Sequence, residues 1–218
     1  DVRVKVDFAA SGNKMKLSVR NTIYDAAGKM VAKSQGVREQ KLKVKNPHLW
    51  DIGKGYLYTV KSELLVNGKV VDVATTTAGF RDVKFDAKKG FFLNGRNLKI
   101  NGVCEHHDFG CLGAAVNEDA MHRKLTILRD MGVNAIRSSH NPPAPELLNM
   151  CDSMGILVMD ESFDMWRRKK SNGDLQRLCV PDDLLAAALW RYGGSTGSWA
   201  FSLPKRESHP GGSPGGTE

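Results

Sequence analysis

The stretch from Asn101 to Trp166 most constrains what this chain can fold into. Its hydrophobic periods alternate as strand, helix, strand, helix, strand. Leu98 to Cys104 reads as a strand. A helix follows, with Asn117 as N-cap, Glu118 and Asp119 in its first turn and an apolar stripe of Met121, Leu125, Leu128 and Met131 stopped by Gly132. Asn134 to Ser138 is the next predicted strand. Pro142 and Pro143 open a second helix carrying Leu147, Leu148, Cys151 and Met154, ended by Gly155. Ile156 to Met159 is a continuous apolar run, as a strand buried on both faces requires. Such alternation predicts parallel, right-handed βαβ units.

Each of these strands ends in polar side chains. The first runs into Glu105-His106-His107-Asp108, the second into Arg137-Ser138-Ser139-His140-Asn141, and the third into Asp160-Glu161, with Asp164 and Trp166 beyond. Parallel strands of an α/β barrel converge their C-terminal ends on one face, where the chemistry is done. Three clusters at the same end predict one shared pocket.

Residues 1 to 85 read differently. Val2, Val4 and Val6 alternate with charged residues, as do Met15, Leu17 and Val19, and Tyr56, Tyr58 and Val60 share one face. Asn67-Gly68 between apolar runs is a two-residue hairpin turn, and Asp25 to Gly28 a looser one. Short strands at this spacing predict a two-sheet sandwich of immunoglobulin type. The period changes after Phe92, where Leu93-Asn94-Gly95-Arg96 reads as a tight turn. The expected organisation is therefore a sandwich over 1–85, the start of a barrel over 86–174, and an atypical tail over 175–218. That tail is rich in Gly, Ser and Pro from Gly193 onward and is expected to be largely disordered.

Composition excludes several classes. A hydrophobic content of 41% and a charged content of 26% are those of a chain with a packed core. No run approaches the roughly 18 apolar residues of a membrane span. The net charge of +8 is spread over strand faces, in lysines such as Lys14, Lys16, Lys41, Lys43 and Lys45, without interleaved aromatics, so neither a nucleic-acid nor a membrane partner is expected. Cys104, Cys111, Cys151 and Cys179 show no CxxC spacing; Cys104 and Cys151 read as buried small hydrophobes.

Among the candidate site residues, His140 and Asn141 are aimed outward by the stiff Asn141-Pro142-Pro143 loop. Asp160 and Glu161 point to opposite sides of their strand, and Arg137 on the neighbouring strand is the natural partner for a buried carboxylate. That ion pair reads as structural. Asp164 beside Trp166 suits a sugar, whose apolar face stacks on an indole while a carboxylate accepts its hydroxyls. The adjacent His106 and His107 diverge, unlike the His-x-His pair of metal-dependent barrels.

These residues, in this order, resemble glycoside hydrolase family 2, the β-galactosidases, β-glucuronidases and β-mannosidases. The resemblance rests on Pro47-His48-Leu49-Trp50, Tyr56-Leu57-Tyr58, Gly79-Phe80-Arg81, Phe91-Phe92-Leu93-Asn94-Gly95, Asn101-Gly102-Val103, Asn134 to Pro142 and Asp160 to Trp166. It covers about Asp1 to Asp174, then stops abruptly, as truncation or a disrupted reading frame would produce. It implies an immunoglobulin-like β-sandwich followed by a partial (β/α)8 TIM barrel, from a retaining exo-glycosidase, most similar to β-galactosidases. It also implies two catalytic glutamates, one after an asparagine on the fourth barrel strand and one on the seventh. No such Asn-Glu pair follows Asp174; Glu207 and Glu218 sit in low-complexity surroundings. The chain is thus expected to be an inactive fragment.

The resemblance assigns substrate contacts to His106, His107, Arg137, His140, Asn141, Asp164 and Trp166, with no cofactor and no metal. The partner is a carbohydrate, and a homo-oligomer is compatible with the intact enzyme. The sequence assigns no compartment; a periplasmic or extracellular setting fits an intact bacterial enzyme of this kind. Two other readings stay open: a non-catalytic carbohydrate-binding protein and a metal-dependent TIM-barrel hydrolase.

Overall fold

Alternating apolar residues build the first part of the chain. The computed structural model describes residues 1–9 and 15–161. β1 (Val2–Lys5) pairs antiparallel with β4 (Glu39–Leu42). β2 (Leu17–Tyr24), β3 (Met30–Gly36), β5 (Tyr58–Val66) and β6 (Lys69–Ala78) form an antiparallel sheet in the order β3-β2-β5-β6. Ile23, Leu42, Tyr58 and Val60 pack between these two sheets, with Val2, Val4 and Phe80 against them. The result is the expected immunoglobulin-like sandwich. Asn67 and Gly68 take φ of 49° and 82°, so the β5–β6 turn twists with its strands. Tyr56 meets Tyr58 at a tilt and Tyr58 meets Phe80 edge-on, at centroid distances of 5.1 and 4.8 Å.

A small antiparallel sheet of β7 (Val83–Asp86), β8 (Gly90–Leu93) and β9 (Arg96–Asn97) follows, with the tight turn at Asn94-Gly95. Then β10 (Gly102–Glu105), α1 (Glu118–Asp130), β11 (Ala135–Ser138), α2 (Pro145–Met154) and β12 (Leu157–Met159) give a parallel sheet in the order β10-β11-β12. Asn117 caps α1 by accepting from the Ala120 N–H at 2.9 Å. These are the first strands of the TIM barrel.

Strand alternation divides the work of this sheet. Val103, Ile136 and Val158 lie in register and pack with Leu125, Leu147, Cys151 and Met154 of the two helices. On the opposite side, Ala135 and Leu157 at the strand starts pack on Trp50, Phe91 and Leu93. The next row on that side, Cys104, Arg137 and Met159, is left open at the C-terminal ends. One end of the sheet is therefore plugged with apolar side chains and the other carries polar ones.

Four local expectations need correction. The strand expected over Leu98 to Cys104 begins only at Gly102, because the Leu98 N–H is taken by Phe91 O at 2.9 Å and its side chain packs beside Trp50. The second helix opens at Pro145 rather than at Pro142-Pro143. Ala144 precedes a proline and is held extended at ψ 140°, so no helix can run through it. Met131 is the C-cap of α1 and is 73% exposed rather than part of the buried stripe. Cys104 is exposed, since alternation sends Val103 to the helices and Cys104 to the open side; Cys151 is fully buried, as expected. Asp164, Trp166 and the tail over 175–218 lie outside the described residues.

Candidate functional site

β11 and β12 bring the site together. Register sets Cys104 beside Arg137, and Arg137 beside Met159. Ser138, buried at 2% exposure, accepts the Glu161 backbone N–H on its hydroxyl at 2.9 Å and thereby fixes where Glu161 leaves β12. Arg137 then donates from Nε to Glu161 Oε1 at 2.5 Å, so of the two carboxylates Asp160 and Glu161 it is Glu161 that pairs with the guanidinium. Its Nη1 donates to Cys104 Sγ and to Ser139 Oγ, each at 3.3 Å.

His140 closes the cluster. Its Nδ1 lies 3.2 Å from Glu161 Oε2 and 3.3 Å from Arg137 Nη2. The His106 ring meets the His140 ring edge-on, with centroids 5.6 Å apart. The Ser139–His140 peptide is cis. His106, Arg137, His140 and Glu161 thus come from three adjacent strand ends and form one group.

The other expected residues are less concentrated. Asn141 is exposed on the loop after His140. His107 is half-buried and lines a crevice with Phe109, Met121, Lys124 and Leu147, over the helical side of β10. His106 lines the same crevice while its ring also meets that of His140. Among the described residues, no three His, Cys, Asp or Glu side chains converge to hold a metal ion.

Two participants were not legible in the sequence. Lys124, one helix away, reaches back to Glu105 Oε2 at 2.7 Å and Asp108 O at 3.1 Å, with its ammonium 4.3 Å from the centre of the Phe109 ring. It clips down the loop that carries His106 and His107. Cys104 was read as core; instead Arg137, and then Ser139, hydrogen-bond its sulfur and hold its thiol below the ordinary cysteine value. Spacing in the sequence signals neither, since both depend on which strand lies next to which.

An oriented imidazole, a guanidinium and a carboxylate at the open end of a plugged parallel sheet suit a polyhydroxylated ligand, through neutral and charge-assisted hydrogen bonds. Residues 1–81 match the family model described as Glycosyl hydrolases family 2, and residues 83–177 match that of Glycosyl hydrolases family 2, TIM barrel domain. The chain belongs to glycoside hydrolase family 2. It is 51% identical over 177 residues to a β-galactosidase of Bacteroides ovatus, an alignment covering 77% of this chain and 21% of that protein. It is 36% identical to a β-glucuronidase of Homo sapiens, over 68% of this chain and 24% of that protein. A solved β-glycosidase structure from Bacteroides vulgatus superposes with a TM-score of 0.74 at 32% identity, covering 87% of this chain and 25% of the other. The family 2 chain described here spans about a fifth to a quarter of the length of these relatives.

Proposed function

We propose that the chain supplies the immunoglobulin-like domain and the first βα units of a retaining exo-glycosidase that removes terminal β-galactosyl residues. The observation that carries this reading is the convergence of His106, Arg137, His140 and Glu161 at three adjacent strand ends. The greater identity to a β-galactosidase than to a β-glucuronidase favours a neutral galactoside.

In this reading His140 and Asn141 hydrogen-bond sugar hydroxyls, Trp166 stacks on the apolar face of the pyranose, and Asp164 accepts a hydroxyl. Arg137 and His106 hold the polar wall around them. The acid/base and nucleophilic glutamates would come from later strands, because no Asn-Glu pair follows Asp174 in this sequence. The chain alone therefore binds and orients, and does not cleave.

The test has two arms. The 218-residue chain is assayed on p-nitrophenyl β-D-galactopyranoside; turnover that copurifies with it would overturn its reading as a partial site. The same segment joined to a complete family 2 barrel is then offered the galactoside and the corresponding β-glucuronide. Preference for the galactoside is expected, and preference for the glucuronide would overturn the assignment of substrate.

A further inference from the structure

β10 ends at Glu105, whose carbonyl accepts from the Ser139 N–H at 2.9 Å. His106 lies one residue beyond that bond. The next backbone bonds stay inside the loop: Asp108 N–H donates to His106 O at 2.8 Å, and Phe109 N–H to Gly113 O at 2.9 Å. The first closes a three-residue turn about His107, so His106 and Asp108 move together. These bonds shape the loop and do not fasten it to the sheet.

The fastening comes from α1. Lys124 Nζ donates to Glu105 Oε2 at 2.7 Å, just before the two histidines, and to Asp108 O at 3.1 Å, just after them. It also stands 4.3 Å from the centre of the Phe109 ring, within cation–π range. An ammonium carries three donors, so one group can make all of these contacts. Its base is fixed, because Met121 and Leu125 of the same helix are buried. Exposed ion pairs add little to stability. This one is more enclosed, with side-chain exposures of 31% for Lys124 and 17% for Glu105. What it spans matters more than its strength: one ammonium grips the chain on both sides of His106 and His107.

We propose that Lys124 is a positioning residue, which holds the loop from Glu105 to Phe109 on α1 and so keeps the His106 ring edge-on to the His140 ring, 5.6 Å between centroids. The consequence for a sugar rests on the function proposed above; the placement of His106 does not. Lys124 acts through the loop, from the helix layer, and not by contact with the ligand.

The experiment is proton NMR of the 218-residue chain. Two rings in edge-on contact bring their protons close enough for a nuclear Overhauser cross-peak, assigned by its loss in His106→Ala and in His140→Ala. Lys124→Met keeps the apolar stem and removes the charge and the donors. The cross-peak should then vanish, while the amide signals of the sandwich and of α2 stay in place. Lys124→Arg keeps a cation with several donors and should keep the cross-peak. A cross-peak absent from the unsubstituted chain, surviving in Lys124→Met, or lost equally in Lys124→Arg overturns the proposal. A lower melting temperature with the cross-peak intact does so too, since the pair would then only stabilise. Should the methionine variant not fold, Glu105→Ala replaces it. Without that carboxylate the long, rotamer-rich lysine has only a neutral carbonyl and a ring to hold it, so the cross-peak should again be lost, and its survival is equally fatal.

A kinetic arm separates the two readings. In the segment joined to a complete barrel, Lys124→Met should lower kcat/KM for the galactoside on the order of 10-fold, with Lys124→Arg within about twofold of the unsubstituted enzyme. Loss of the cross-peak without kinetic loss would overturn the part of His106 in the sugar site and leave the positioning role standing. Kinetic loss with the cross-peak intact would overturn the positioning role.

Discussion

The indole N–H of Trp50 donates to the backbone carbonyl of Asp152 at 2.7 Å, joining residues 102 positions apart. Trp50 comes from the connection between β4 and β5 of the sandwich, and Asp152 lies in α2 behind the barrel strands. The ring is only 2% exposed and packs with Phe91, Leu93, Ala135 and Leu157, while Arg81 lies over its face at 4.6 Å. One side chain thus serves both halves of the chain. Trp50→Phe keeps most of the apolar area and removes the donor, so it should cost about 1 kcal/mol. Trp50→Ala empties the site as well and should cost about 3–5 kcal/mol. Denaturant unfolding monitored by circular dichroism measures both. Equal losses for the two variants would show that the hydrogen bond, not the packing, carries the contact.

The same junction admits no side chain at Gly155. This residue ends α2 in the left-handed conformation at φ 73°, and a Cβ there would stand 2.5 Å from Asp51 O and from Gly53 N. Gly53 N–H donates to Gly155 O at 3.0 Å, so the two backbones are already in contact. Gly155→Ala should therefore cost well over the roughly 1 kcal/mol of the left-handed backbone alone. Gly95→Ala provides the comparison: φ is 77°, but nothing lies within 4 Å of the new methyl group. The difference in unfolding free energy between the two variants isolates the close approach, and a difference near zero would contradict it.

Acid should weaken the sandwich through Glu63. Arg20 above all, then Lys61, hydrogen-bond its carboxylate and hold its pKa at about 2, against an ordinary value of 4.5. The folded state therefore keeps this group ionised where the unfolded chain would protonate it. Its stabilisation is fully present above about pH 4.5 and is lost as pH falls toward 2. Glu63→Gln should flatten the stability profile over that window in urea titrations. An unchanged slope would mean that the pair is as well solvated folded as unfolded.

The three cysteines among the described residues should react in a fixed order. Burial pushes the Cys151 thiol up to about 12, whereas Arg137 and Ser139 lower that of Cys104, which is exposed like Cys111. Thiolate is the reactive form. Iodoacetamide at neutral pH should label Cys104 faster than Cys111, and Cys151 only on unfolding, as read by peptide mass spectrometry. Arg137→Ala should slow Cys104 specifically.

His140→Ala, made in the segment joined to a complete barrel, should cost about 3 kcal/mol of transition-state stabilisation in kcat/KM. The melting temperature should be nearly unchanged, because His140 packs at an open strand end. Large loss of thermal stability with kinetics preserved would make it a structural histidine.

Short-range chemistry made much of this protein readable before folding. The turns at Asn67-Gly68 and Asn94-Gly95, the Asn117 cap, the Gly155 stop and the alternation of strand and helix all follow from neighbours within a few residues, and each stands where its residues imply. A pairing of Arg137 with one of the carboxylates Asp160 and Glu161 was also within reach, because two parallel strands joined by a helix must lie side by side; the structure decided for Glu161. Other features had no local signature. Which face of β10 meets the helices decided that Cys104 would be open rather than buried, and where the Ala144-Pro145 restriction falls decided the start of α2. Trp50 finding Asp152, Lys124 reaching Glu105, and Glu161 bridging Arg137 to His140 join residues 102, 19 and 21–24 positions apart. Local propensity acts over one turn or one hairpin; contacts at these separations exist only once the sheet order and the packing of sandwich on barrel have brought the side chains within hydrogen-bonding distance.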